Sequence, residues 1–119
     1  MATAELAVAL PTLVLMLFLA LAGLATVTDQ VRCVDAARAT ARAVARGDDQ
    51  GAARLAGQRL APPGASISVG AVGSGRGSEV IVVVRGKAAP GLAWLGSHVS
   101  PVARAVAARE EVGADVSPP

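Results

Sequence analysis

A run of 23 residues without a charged side chain, Leu6 to Thr28, begins directly after a lone acid, Glu5. As an α-helix rising about 1.5 Å per residue it reaches roughly 35 Å, enough to cross a hydrocarbon layer of about 30 Å. The chain is therefore expected to be anchored in membrane lipid by one span. Two other origins for such a run fit less well. A secretory signal peptide has a basic start and an apolar stretch of roughly 7 to 15 residues. Here no Lys or Arg precedes the run and the run is longer, so cleavage near Ala22-Gly23-Leu24-Ala25 is the minor alternative. A buried helix of a soluble domain needs enough chain to surround it, and the 91 residues after Thr28 are too few to enclose a helix that is apolar on every side.

Those 91 residues suffice for one small domain whose core is marginal unless the anchor helix or a partner adds to it. Phe18 and Trp94 are the only aromatics, so the core must be built from Val, Ile, Leu and many Ala. Alanine favours helices but buries little area, which points to close helix packing or assembly as the source of the missing stability. The net charge is +2, with Arg supplying ten of the eleven basic residues, and this balance argues weakly for any acidic partner. Cys33 is the single cysteine. It cannot form a disulfide within the chain, which leaves an intermolecular bridge or, more simply, a small residue packed on a helix.

Pro11 lies inside the apolar run. It lacks the N–H that would bond the carbonyl of Ala7, so the helix is expected to kink or open locally there. Such a defect in a membrane favours a helix packed against neighbours that satisfy the freed carbonyl. Glu5 has two readings of equal weight. As an ionisable group at the edge of the span it is costly without a partner and so functional, or it sits at headgroup level and simply marks where the span starts.

The segment Met1-Ala-Thr-Ala-Glu5-Leu-Ala-Val-Ala-Leu10-Pro11, followed by a uniform apolar helix, resembles the N-terminal segment of TadE-like proteins. These are pilin-like minor components of tight-adherence (Flp-type) type IV pilus systems. Thr3, Glu5 and Pro11 match the pattern such segments show. The resemblance implies that a prepilin peptidase cuts ahead of the apolar stretch to leave glutamate as the fifth residue. It also implies that Glu5 registers the subunit by pairing with the amine of a neighbour's first residue, Met1 here. A carboxylate and an ammonium enter an apolar bundle together at far lower cost than either alone. The peptidase's usual substrate, a basic leader with a glycine, does not precede Met1 in this sequence. The sequence is then the mature form, or its start is assigned too late, or no processing occurs. The likeness covers about the first 30 residues.

Orientation is contested. Arg32, Arg38, Arg42 and Arg46 follow the span and no basic residue precedes it, so the positive-inside rule taken alone puts the C-terminal domain in the cytoplasm. The resemblance implies an extracytoplasmic domain, and that is the expectation adopted.

Past the span the helical pattern continues. Leu24, Val27, Val31, Val34, Ala37, Ala41 and Val44 recur every three or four residues, while Asp35, Arg38, Arg42 and Arg46 form a polar stripe. One helix is predicted from near Thr3 to Arg46, with Asp35 and Arg38 as a candidate i,i+3 pair. The arginine stripe lacks interleaved aromatics and reads as a solvated face, not a nucleic-acid site. Gly47-Asp48-Asp49 breaks the helix and caps a shorter one through Leu60, ended by Ala61-Pro62-Pro63-Gly64. With no further ligands beside them, Asp48 and Asp49 read as caps and not as a metal site.

Beyond Pro63 the period changes to two. Ile67, Val69 and Ala71 alternate, Glu79 to Val84 is a strong β run, and Gly73-Ser-Gly-Arg-Gly77 between them reads as a hairpin loop. This loop leads into a strand, whereas phosphate-binding loops open a helix, which argues against nucleotide binding. A third strand is predicted over Val102 to Ala108, with Val102, Arg104 and Val106 on one face. Leu92, Trp94, Leu95 and Val99 fall in the crossing before it. They either plug one end of the core or, if Trp94 is exposed, mark an interaction site. His98 has no acid or nucleophile at a telling spacing.

The expected architecture is α+β: a long N-terminal transmembrane and amphipathic helix packed on a small antiparallel sheet, as in pilins. Its parts are a span over 1–28, a helical continuation over 29–61, a sheet over 65–109 and a loose tail over 110–119. The expected function is that of a pilin-like structural subunit, with Met1, Glu5 and Pro11 serving assembly. Its partners are lipid, other pilin-like subunits and a prepilin peptidase; no enzyme activity, cofactor, metal, nucleic acid or small-molecule substrate is expected. The competing reading is a single-pass tethered envelope protein that binds another protein through its small domain, with Trp94 in the contact.

Overall fold

The computed structural model describes residues 1–73 and 78–108. The expected hairpin loop from 74 onward and the expected tail over 110–119 lie outside the described residues. The architecture is the expected α+β one. Helix α1, Ala2–Ala45, is followed by α2, Gln50–Gln58, and then by strands β1, Ser66–Val72, β2, Glu79–Arg85, and β3, Val102–Ala108. The strands form one antiparallel sheet in the order β1-β2-β3. Its register aligns Val82 with Val69 on one side and with Ala105 on the other.

Helix α1 passes through Pro11 without interruption. The proline removes one donor, and the ladder on either side holds. The helix ends where glycine allows a left-handed residue. Gly47, at φ 87°, lets its own N–H reach the carbonyl of Val44 at 3.0 Å and the N–H of Asp48 reach that of Ala43 at 3.1 Å. That pair of bonds is a Schellman ending. Two residues on, the Asp49 carboxylate accepts from the N–H of Gly51 at 2.9 Å and caps α2 as expected, while Asp48 pairs with Arg46 at 2.9 Å. The tentative Asp35–Arg38 pair does not form; both side chains are exposed.

The domain core lies between α1, α2 and one face of the sheet. Val80, Val82 and Val84 of β2 meet Cys33, Ala36, Ala37, Ala41 and Val44 of α1, with Ala53 from α2 and Ala103 from β3. Of the apolar stripe read in the sequence, Ala37, Ala41 and Val44 are buried, but Leu24, Val27 and Val31 are exposed. The face turned to the domain runs instead through Ala22, Thr26, Gln30, Cys33, Ala36 and Thr40. Small side chains win this face because they let the helix approach. At Gly57 of α2 a methyl group would stand 2.0 Å from Thr40 Oγ1 and 3.0 Å from the carbonyl oxygen of Ala36, so α1 and α2 touch backbone to side chain. On β3 the inner face is likewise Ala103, Ala105 and Ala107, and Val102, Arg104 and Val106 share the outer one.

Strands β2 and β3 are adjacent antiparallel partners, yet sixteen residues, 86–101, connect them. This connection includes a 3₁₀ helix, Ala93–Val99, and forms a second small core. Ala89 and Leu92 are buried against Ala22 of α1, with Val99 partly buried beside them.

Candidate assembly and membrane-facing surface

Residues 1–21 of α1 are all exposed, and burial begins at Ala22. The apolar segment therefore projects from the domain, and the molecule measures 96 × 22 × 16 Å. By length and composition α1 is a helix able to cross a membrane. Its first turns present one open face formed by Met1, Ala4, Glu5, Val8, Ala9, Thr12, Leu13 and Met16. The spacing of three and four that a helix imposes puts Met1 and Glu5 one turn apart on that face.

The helix start has no side-chain cap, so its first N–H groups carry the positive end of the helix dipole unopposed except by Glu5 in the first turn. Among the described residues Glu5 has no ion-pair partner, and the ion pair there is Arg46–Asp48. Pro11 lies about 9 Å further along the helix axis. The hydroxyl of Thr12 donates to the carbonyl of Val8 at 2.8 Å, and Thr26 and Thr28 bond back to Ala22 and Leu24 in the same way. These polar groups of the span are thereby satisfied inside the helix, which suits an apolar surrounding.

Trp94 is not near these residues. It stands on the β2–β3 connection, 78% exposed, with Leu95 beside it at 39%. The connection reaches down α1: Gly91, at φ 89°, lies so close to the Phe18 ring that a methyl group there would be 2.6 Å from it. His98, on the same 3₁₀ helix, is exposed.

Two contacts were not legible as such in the sequence. The Gln30 side chain donates to the carbonyl of Val102 at 2.9 Å and accepts from its N–H at 3.0 Å, so an amide on α1 closes the outer edge of β3 as another strand would. Cys33 is fully buried where Gly86 and Pro101 meet the helix, with Sγ 4.0 Å from the Pro101 carbonyl oxygen. Burial pushes its thiol pKa up; the Gly86 backbone draws it back and Asp29 adds a smaller push upward.

This fold and surface define a class: one apolar helix able to span a bilayer, continuous with a small α+β domain, the layout of a membrane-tethered protein. The chain is 51% identical over 65 residues to the apoptosis inhibitor Rv3655c of Mycobacterium tuberculosis (strain ATCC 25618 / H37Rv), a match covering 55% of this chain and 51% of that protein. The chain thus matches about half the length of this curated relative. No protein-family model matches the chain, and no solved structure matches it.

Proposed function

We propose that this chain is a pilin-like structural subunit of the TadE-like kind, which joins a membrane-embedded helical bundle through α1. The observation that supports it most is the bare segment 1–21, whose first turn carries a carboxylate with no ion-pair partner among the described residues. Acyl chains can cover Leu, Val and Phe, but within the hydrocarbon they offer Glu5 no counter-charge. The free amine of a neighbouring subunit does, and a prepilin peptidase that exposes that amine is the processing partner this reading calls for. The domain then lies on the extracytoplasmic side, in a fibre or in the apparatus beneath it.

The test is Glu5→Gln. Removing one partner of a pair buried in a bundle costs about 3 kcal/mol or more, roughly a hundredfold in the assembly constant. Cross-linked oligomers in the membrane fraction are expected to fall accordingly, while Cys33 stays protected from thiol reagents, showing an intact domain. Unchanged oligomers with Glu5→Gln refute the pilin reading and leave a plain tethered protein. Mass analysis of the native N-terminus checks the processing step: a chain starting at or beside Met1 with a methylated amine is expected.

A further inference from the structure

We propose that the β2–β3 connection is a membrane-interface anchor, with Trp94 and Leu95 seated among lipid headgroups on the domain side of the bilayer. This rests on the reading that α1 spans a membrane, and it fixes where along α1 the bilayer stops.

The connection is far longer than its task. Adjacent antiparallel strands are joined by two to five residues in most hairpins, and this connection takes sixteen and builds a 3₁₀ helix of its own. Here residues 86–101 leave the sheet at the level of Cys33, beside Gly86 and Pro101, and descend to Ala22 and Phe18. Those contacts lie eleven and fifteen residues back along α1, about 16 and 22 Å below. The descent is held by Leu92 on Ala22 and by the close approach of Gly91 to the Phe18 ring. It delivers the chain's single Trp, 78% exposed, to the flank of the apolar segment.

An indole carries a large apolar ring and one N–H donor, and it is enriched at the depth where apolar and polar layers meet. The backbone settles how deep the loop can go. Residues 86–92 belong to no helix or strand, and turns such as Leu92 N–H to Ala89 O and Leu95 N–H to Leu92 O, both 3.0 Å, lead into the short 3₁₀ helix. Irregular backbone facing hydrocarbon is not tolerated, whereas the headgroup layer supplies water and acceptors. The loop therefore rides at the interface, and the hydrocarbon begins near Phe18 to Ala22.

Because Trp94 is the only Trp, its fluorescence reports this site alone. The full chain, reconstituted in phosphatidylcholine vesicles, is titrated with lipids brominated at shallow or at deep acyl positions, and separately with aqueous acrylamide. The expected result is blue-shifted emission, quenched more by shallow than by deep bromine and shielded from acrylamide. Leu92→Ala, which loosens the loop from Ala22, is expected to reduce the bromine quenching. Emission fully open to acrylamide and untouched by bromine, in vesicles that still carry the protein on flotation, overturns the anchor while leaving the spanning helix intact. Blue-shifted emission quenched by neither agent also overturns it, since Trp94 is then covered by protein. Loss of the protein from floated vesicles overturns the spanning helix and the anchor with it.

Discussion

Gly57→Ala separates the energetics of this small domain from simple helix propensity. On propensity alone the change stabilises α2 by up to about 1 kcal/mol. The structure opposes this, because the new methyl group would lie 2.0 Å from Thr40 Oγ1, 2.9 Å from Ile67 Cδ1 and 3.0 Å from the carbonyl oxygen of Ala36. The Ile67 tip can move aside. Thr40 is fully buried and its hydroxyl donates to Ala36 O at 2.9 Å, so rotating it away leaves a buried donor unpaired, at about 1–3 kcal/mol. Parting the two helices instead costs about 1–3 kcal/mol as overpacking. The net expectation is a loss of roughly 1–2 kcal/mol. Cys33 supplies the assay, being the single thiol and fully buried. Where alkylation proceeds through domain opening, its rate rises with the population of the open form, by about 5- to 30-fold for that loss. Thr40→Ala combined with Gly57→Ala is expected to recover most of the protection, since the closest overlap is gone. If Gly57→Ala alone labels no faster than the parent, the close approach of α1 and α2 is wrong.

Three further outcomes follow from the same contacts. Val82→Ala removes two methyl groups from a fully buried position in the central strand and is expected to cost about 2–3 kcal/mol, read as a lower denaturant midpoint for Cys33 labelling. Gln30→Ala leaves the Val102 edge to solvent; because both bonds are exposed, the expected loss is only about 1 kcal/mol, with faster amide exchange at Val102 as its local sign. The raised Cys33 pKa makes the folded domain hold its proton longer than the unfolded chain. Stability is then unaffected below the unfolded thiol value of about 8.5 and falls as pH rises above it. Cys33→Ala is expected to flatten that alkaline decline, measured by amide exchange across the pH range.

The regular elements were legible because each has a local cause. The uncharged run and the alanine-rich stretch after it make one helix; Gly47 and Asp49 stop it and start the next; β3 spans the predicted Val102 to Ala108. What was not legible depends on residues far apart in the chain. Alternation on β3 separates two faces, but only the nearness of α1 explains why Ala103, Ala105 and Ala107 face inward while the larger Val102 and Val106 face out. Leu24, Val27 and Val31 share a period with Ala37 and Val44, yet the domain covers a different strip, through Ala22, Gln30 and Cys33. Gln30 carries no local sign that its partner lies 72 residues away. The path of 86–101 is set by Leu92 finding Ala22, which no spacing encodes.

That path also bears on Glu5, for which the sequence allowed two readings. Counted from charge alone, the span is Leu6 to Thr28 and Glu5 falls at headgroup level, where it costs little. Counted from the proposed anchor, the domain-side boundary is near Phe18 to Ala22. A hydrocarbon layer of about 30 Å then takes about 20 residues, which from Ala22 reaches back to about Ala2. Glu5 is then some 4–5 Å inside the far leaflet rather than outside it. A lone carboxylate at the centre of a span costs about 2.5–3.5 kcal/mol on insertion scales, and less near the edge. Even a fraction of that favours association with a cation. The two registers make opposite predictions for Glu5→Gln in the isolated subunit. With Glu5 in the hydrocarbon the variant binds vesicles more firmly than the parent while assembling less well. With Glu5 at the headgroups its membrane affinity is unchanged. Comparing vesicle partitioning with oligomer formation for the same variant therefore decides whether the loop contact at Ala22 sets the depth of the helix.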